Sequence, residues 1–217
     1  KVKIQGKDYF CQGDITDLDG GLGYKTYQWN NGITEHATSY QRSGPAILTV
    51  SDSFNCFASD TLNLREIPAP SFTISAARNV LCRGECTELK LTVDSTYLVI
   101  WNQQDTARDL IVCPNVTKKY TATIVSPEGC RTDTFLNIQV FNAPDPRLGL
   151  DQKLTCSMNS ITLDPARPDV GDKRGFYWEG PGITFLNKTS LNPVISFPGM
   201  YIFTVFDSLS GCVGRDT

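Results

Sequence analysis

The chain has 217 residues, with 20 Lys and Arg against 23 Asp and Glu, and its formal net charge is -3. This balance excludes a basic nucleic-acid binder, because such a protein needs a positive surface that displaces counterions from phosphates. Hydrophobic residues at 40% are typical of a globular protein. No apolar run is long enough for a membrane-spanning helix, so the sequence predicts folded domains without membrane insertion.

The first third of the chain sets a pattern around Trp29. Cys11 precedes this tryptophan and Cys56 follows it. Between Trp29 and Cys56, residues 46–50 alternate in character and predict a strand. Turn-forming residues at 52–55 then predict a hairpin that leads into a second strand.

The same pattern recurs twice further along the chain. The second copy is centred on Trp101, between Cys82 and Cys130, and the third on Trp178, between Cys156 and Cys212. Apolar residues recur with period two and no window carries a helical stripe, so each copy predicts a β-sandwich and the chain an all-β fold. Proline pairs between the copies predict an elongated array of three modules, at residues 1–67, 68–143 and 144–217, with the last strand truncated.

The three tryptophans share one place in the repeat. Each follows an apolar residue two positions back on the same predicted strand; these residues are Tyr27, Val99 and Phe176. An aromatic side chain buries a large area, and a carbohydrate-stacking platform need not recur at the same position of every module. The pattern therefore favours core packing for Trp29, Trp101 and Trp178 over ligand stacking.

The chain has eight cysteines and a single histidine, which favours disulfides over metal sites or catalytic thiols and predicts an oxidising, extracellular location. Register across the copies predicts the bonds Cys11–Cys56, Cys82–Cys130 and Cys156–Cys212. The remaining pair, Cys86–Cys113, would be private to the middle copy. A swap that joins Cys82 to Cys113 and Cys86 to Cys130 stays open, because sequence alone does not fix connectivity.

Few residues are candidates for chemistry. Asp14, Asp17 and Asp19 lie close together and are candidate calcium ligands, since Ca²⁺ takes carboxylate oxygens, but the other copies lack them and solvated loop acids are the favoured interpretation. A four-cysteine zinc site in the middle copy does not match the usual paired spacing. No nucleophile is indicated beside His36, and no Gly-rich phosphate loop precedes a helix, so the sequence predicts no catalytic residue and no cofactor.

The repeat unit runs from an aromatic-x-Trp strand through an alternating strand to a turn with Gly-Cys and then Asp-Thr. It resembles the immunoglobulin-like and PKD-like repeats of very large Bacteroidota surface proteins. The residues that carry the resemblance are Tyr27-Gln28-Trp29, Phe176-Tyr177-Trp178, Tyr201 to Val205, Gly211-Cys212 and the Asp-Thr pairs at 60–61, 133–134 and 216–217. The resemblance implies an Ig-like sandwich, export by the type IX system, and display as adhesins, gliding-motility proteins or surface filaments.

Repetition without a repeated polar constellation predicts a non-enzymatic segment. We expect a disulfide-stapled stalk of a secreted cell-surface protein that mediates attachment to surfaces or other cells. Two alternatives are the shaft of a homo-oligomeric appendage, such as a filament or grappling hook for contact predation, and the accessory modules of a secreted hydrolase. The expected partners are neighbouring modules of the same chain, identical chains in a homo-oligomer, or a cell-surface or glycan ligand, but not nucleic acid.

Overall fold

A computed structural model describes residues 1–102 and 105–217 of the chain. Within these residues all regular structure is β-strand, which confirms the predicted all-β fold class. No helix of the described residues is long and apolar enough to cross a membrane. The chain divides into two compact units: one comprises Lys1–Thr73, Thr92–Thr106 and Ala122–Thr134, and the other Ile74–Leu91, Ala107–Thr121 and Phe135–Thr217.

The first repeat contains seven strands in two sheets. The strands are β1 (Gln5–Gly6), β2 (Tyr9–Cys11), β3 (Thr16–Asp19), β4 (Thr26–Trp29), β5 (Ala37–Tyr40), β6 (Gly44–Ser51) and β7 (Phe57–Ile67). A three-stranded sheet has the order β1-β3-β5 and a four-stranded sheet the order β2-β7-β6-β4. The pairs are antiparallel except that β2 runs parallel to β7.

The described part of the second repeat has the same organisation. Its strands are β8 (Phe72–Ala76), β9 (Val80–Cys82), β10 (Thr87–Val93), β11 (Leu98–Trp101), β12 (Asp109–Val112), β13 (Lys118–Val125) and β14 (Arg131–Phe141). One sheet has the order β12-β10-β8 and the other β11-β13-β14-β9. As in the first repeat, the short strand that ends in the first cysteine, β9, runs parallel to the last strand, β14.

The third repeat is less complete in regular structure. Its strands are β15 (Ile161–Thr162), β16 (Arg174–Glu179), β17 (Val194–Ile195), β18 (Ile202–Asp207) and β19 (Val213–Asp216). They form a β15-β17 pair and a β16-β18-β19 sheet, both antiparallel. The segment around Cys156 has no strand, in contrast to the segments that end at Cys11 and Cys82.

The strand order of the first two repeats is that of an immunoglobulin-like sandwich. Such a sandwich has seven strands in two antiparallel sheets with Greek-key connections, and a tryptophan buried on the strand that begins the second sheet. Trp29 ends β4 and Trp101 ends β11, and both side chains are 0% exposed. The predicted Ig-like array is thereby confirmed, and in the first two repeats the first strand is divided between the two sheets.

Alternation of side chains explains why these segments form half-buried strands. In β3, Leu18 points to the interior between the exposed residues Asp17 and Asp19. The buried cluster around Trp29 consists of Val2, Ile4, Phe10, Leu18, Ala46, Leu48, Val50 and Leu64. In the other unit Trp178, Phe203 and Val205 form a buried cluster on β16 and β18. Period-two burial therefore places each tryptophan in a core, as the sequence predicted.

Candidate functional site: the cysteine junctions

Two disulfides join cysteines of different repeats. Cys11 of the first repeat is bonded to Cys130 of the second, with 5.5 Å between their Cα atoms. Cys82 of the second repeat is bonded to Cys212 of the third, with 5.6 Å between their Cα atoms. Each bond connects the first cysteine of one repeat to the second cysteine of the next.

The parallel pairing of β2 with β7 explains why Cys11 does not bond to Cys56. Cys11 lies opposite Ile67, at the end of β7, whereas Cys56 directly precedes Phe57, where β7 begins. At about 3.3 Å per residue these positions are roughly 35 Å apart. A disulfide requires Cα atoms within about 7 Å, so the two cysteines of one repeat cannot meet.

The second repeat has the same geometry. Cys82 lies opposite Phe141, where β14 ends, and Cys130 directly precedes Arg131, where β14 begins. The predicted bonds Cys11–Cys56, Cys82–Cys130 and Cys156–Cys212 are therefore corrected to the two bonds between repeats, and Cys56 and Cys156 lie outside the disulfides.

The third disulfide joins Cys86 to Cys113 within the second repeat. These cysteines flank the antiparallel pair β10 and β12, in which Thr87 lies opposite Val112. One step beyond that pair brings Cys86 and Cys113 opposite each other, with 4.1 Å between their Cα atoms. The structure therefore has this predicted pair and not the swapped alternative.

A shared turn presents the second cysteine of each repeat. The backbone carbonyl of Cys56 accepts a hydrogen bond from the Asp52 N–H at 3.1 Å, and that of Cys130 accepts one from the Ser126 N–H at 2.8 Å. The carbonyl of Cys212 accepts in the same way from the Asp207 N–H at 2.9 Å. The three cysteines thus occupy equivalent places at the start of a strand, although Cys130 and Cys212 are buried and Cys56 is exposed.

A different turn follows the first cysteine in the first two repeats. The Asp14 N–H donates to the Cys11 carbonyl at 2.8 Å, and the Glu85 N–H donates to the Cys82 carbonyl at 2.9 Å. In both turns the residue directly before the acid is a glycine with positive φ, +87° at Gly13 and +92° at Gly84, a conformation that L-residues rarely adopt. The sequence analysis did not identify this Cys-x-Gly-acid motif, although it is present at both Cys11 and Cys82.

Two ionised carboxylates stabilise the turns on either side of the Cys82–Cys212 bond. The Cys82 N–H donates to Glu85 Oε2 at 2.9 Å, and this bond lowers the pKa of Glu85 below its ordinary value, with a smaller contribution from Arg78. The Ser210 N–H donates to Asp207 Oδ1 at 2.8 Å, and this bond is the largest cause of the lowered pKa of Asp207. Both turns are therefore best formed when these carboxylates are charged.

Two of the core tryptophans, Trp29 and Trp178, differ in what their indole N–H groups meet. Trp29 Nε1 donates to the Glu35 carbonyl at 3.0 Å. Trp178 Nε1 is buried and has no hydrogen-bond partner among the residues that the structure describes. Trp178 also lines a cavity of about 570 Å³, whose wall includes Leu148, Leu154 and Tyr201.

The third repeat, whose residues line this cavity, also differs from the other two at one core position. The residue before the first cysteine is Phe10 in the first repeat and Leu81 in the second, and both are buried. The corresponding residue of the third repeat, Thr155, is exposed. An apolar side chain that helps to close the other two cores is thus missing from the third.

The structure does not bring the three candidate calcium ligands together. Asp17 Oδ1 accepts a hydrogen bond from the Ser39 hydroxyl at 2.6 Å, and Asp19 Oδ1 accepts one from the Gly21 N–H at 2.7 Å. Asp14 lies in the turn after Cys11 instead. Among residues 1–102 and 105–217 no group of three or more His, Cys, Asp or Glu side chains is placed to hold a metal ion.

Comparison with known proteins gives distant likeness only. No family model and no curated protein matches the chain. An ICAM-5 D1–D4 ectodomain fragment is 11% identical with a TM-score of 0.43, covering 99% of this chain and 74% of that chain. The three N-terminal domains of the bacteriophage RB49 Highly Immunogenic Outer Capsid protein are 14% identical with a TM-score of 0.35, covering 99% and 94%. A solved chain from a structural study of host cell surface retention of a 1.5-MDa bacterial ice-binding adhesin is 11% identical with a TM-score of 0.35, and the match covers 99% of this chain and 95% of that chain.

Proposed function

We propose that this chain is a non-enzymatic structural segment of a secreted cell-surface protein, in which covalently joined Ig-like repeats bear tension during attachment to surfaces or other cells. The observation that carries this proposal is the disulfide connectivity from each repeat to the next. Three disulfides are typical of an extracellular chain, because cytosolic reductants would open them.

Disulfides between repeats give an applied force a covalent route that bypasses most of the folded strands. The shortest route from Lys1 to Thr217 crosses all three disulfides and contains about 36 of the backbone steps in the chain. Full unfolding therefore extends the oxidised chain to roughly 140 Å, against roughly 750 Å for the reduced chain, at about 3.5 Å per residue. The disulfides therefore limit how far the tether extends when its sandwiches unfold.

The proposed source and export route of the protein depend on the sequence motifs of the repeat. The aromatic-x-Trp strand, the Gly-Cys turn and the Asp-Thr pair after it support a Bacteroidota surface protein exported by the type IX system, with adhesion or gliding motility as its role. The repeats then act as the disulfide-linked stalk between the cell and the attachment site.

A homo-oligomeric appendage is a second candidate function. Large apolar side chains are exposed in the third repeat: Phe185 is 82%, Leu186 91% and Met200 66% exposed. Exposed apolar patches on soluble proteins often mark interaction surfaces. Lateral contact between identical chains would cover these side chains.

Single-molecule force spectroscopy on the 217-residue chain, pulled from its two ends, tests the tension-bearing role. We expect the oxidised chain to stop extending at roughly 140 Å. The variant C11S/C130S removes one bond and lengthens the shortest route, so its limit should rise to roughly 300 Å. An oxidised wild-type chain that extends as far as the reduced chain would contradict the proposal.

A further inference from the structure

Cys56 and Cys156 are the two cysteines outside the disulfides, and they occupy different positions in their repeats. Cys56 is the second cysteine of its repeat, as Cys130 and Cys212 are of theirs, and Cys156 is the first cysteine of its repeat. In both disulfides that join repeats, a first cysteine is bonded to a second cysteine. Cys56 therefore corresponds to one partner of such a disulfide, and Cys156 corresponds to the other.

We propose that Cys156 of one chain forms a disulfide with Cys56 of a second copy of the chain. The equivalent residues are already bonded twice within this structure, which is the independent observation that separates these thiols from isolated surface cysteines. The inference does not depend on an adhesive role, because it requires only an oxidising compartment and two copies of the repeat.

The geometry of the Cys56 turn supports this pairing. Besides the Asp52 N–H that reaches the Cys56 carbonyl, the Cys56 N–H donates to Asp52 Oδ1 at 2.9 Å. In the bonded hairpin of the second repeat, the Cys130 N–H donates to Ser126 Oγ at 3.2 Å. The same turn thus presents the thiol at Cys56 and the bonded sulfur at Cys130.

The residues that flank the cysteines supply a docking contact. Within the Cys11–Cys130 junction, the hydroxyl of Tyr9 donates to the Glu128 carbonyl at 3.4 Å, and each of these residues lies two positions before its cysteine. The corresponding residues of the proposed junction are Leu154 and Phe54. Phe54 is 85% exposed, and contact with Leu154 of a second chain would remove apolar surface from water.

The turn at Cys156 differs from its counterparts. Thr155 and Met158 exchange two backbone hydrogen bonds across it, and no strand precedes the cysteine. In the other two repeats the strand before the first cysteine is paired, and that cysteine is bonded. Bonding of Cys156 would therefore restrict a segment that lacks regular structure in the single chain.

Bond formation needs an oxidant, for which we name a small-molecule disulfide such as oxidised glutathione. The Cys156 thiolate attacks one glutathione sulfur and releases one glutathione thiolate. The Cys56 thiolate of the second chain then attacks Cys156 Sγ in the mixed disulfide and releases the other. Two protein thiols are oxidised to one disulfide, the two cysteine protons pass to the two glutathione thiolates, and one glutathione disulfide is reduced to two thiols.

Oxidation of mixed single-cysteine variants tests the pairing. ¹⁵N-labelled C56S, which keeps Cys156, is mixed in equal amounts with unlabelled C156S, which keeps Cys56, and both are treated with oxidised glutathione. Intact mass then separates the mixed dimer from the two homodimers. We expect the mixed dimer to exceed each homodimer by about tenfold, roughly five times the random ratio, which corresponds to about 1 kcal/mol of preference. We expect the bonded tryptic peptides to be 43–65 and 154–173.

Two controls make the result decisive. The double variant C56S/C156S keeps all three disulfides and should remain monomeric under the same treatment. Adding Phe54→Ala to C156S should lower the yield of mixed dimer towards the random ratio, twice each homodimer. A random ratio with Phe54 intact, a bond between Cys56 and Cys156 of one chain, or two thiols that stay reduced would overturn the proposal.

Discussion

Cys11 lies opposite Ile67 in the parallel pairing of β2 with β7, and therefore at the far end of the strand that Cys56 precedes. This relationship separates the two cysteines of the first repeat, and the pairing of Cys82 with Phe141 does the same in the second. It also leaves Cys11 and Cys82 free to bond with the next repeat.

The connectivity predicts different effects for two pairs of cysteine substitutions. C11S/C130S removes a disulfide and should lower the free energy of unfolding by about 2–5 kcal/mol. C56S/C156S removes the same number of cysteines but no bond within the chain, so its melting temperature should match that of the wild type. Thermal unfolding followed by circular dichroism on both oxidised variants measures the difference. Equal destabilisation by the two variants would instead support bonds within each repeat.

The indole N–H groups predict unequal costs for the same substitution. Trp29→Phe removes the hydrogen bond to the Glu35 carbonyl and leaves that carbonyl without its indole donor, whereas Trp178→Phe removes an N–H that has no partner among the described residues. Both variants lose packing volume. Trp29→Phe should therefore cost about 1 kcal/mol more than Trp178→Phe in chemical denaturation. A larger cost at Trp178 would show that its N–H is hydrogen-bonded in solution.

The residue before the first cysteine predicts a contrast between repeats. Phe10 is buried beside Trp29, so Phe10→Ala should cost about 3–5 kcal/mol. Its counterpart Thr155 is exposed, and Thr155→Ala should change stability by less than about 0.5 kcal/mol. Urea unfolding of the two variants gives both values. A large cost at Thr155 would mean that this segment packs into the third repeat.

The lowered pKa of Asp207 predicts a loss of stability in acid. The unfolded carboxyl has a pKa of about 3.9, and the folded value lies lower because the Ser210 N–H stabilises the charged form. This contribution is therefore complete above the unfolded pKa and disappears as the pH falls through the folded pKa.

Melting temperatures between pH 7 and pH 2.5 measure this effect. The wild type should lose more stability than Asp207→Asn over that range, since the variant has no charge to lose at this turn. The same substitution at Asp14, on a carboxyl for which the structure shows no hydrogen bond among the described residues, controls for the loss of one negative charge at pH 7. Identical profiles for Asp207→Asn and the wild type would contradict the role of the charged carboxylate.

Much of the architecture was available from single-sequence patterns. Period-two alternation in β10 identifies a half-buried strand, because opposite faces of a strand meet different environments. Asp17 and Asp19, by contrast, were expected in a loop and lie on β3. Equal spacing of Trp29, Trp101 and Trp178 from apolar neighbours predicts their burial, and all three are at most 2% exposed. These are local signals, since each depends on residues within a few positions of one another.

The cysteine bonds depend on the tertiary structure instead. Register among the three repeats shows which cysteines are equivalent, and that much the sequence alone determined. It does not show that β2 and β9 pair in parallel with the last strand of their repeats, because strand pairing joins residues more than fifty positions apart. Only the folded chain placed the two cysteines of a repeat at opposite ends of that strand, and a disulfide forms only where Cα atoms approach within about 7 Å.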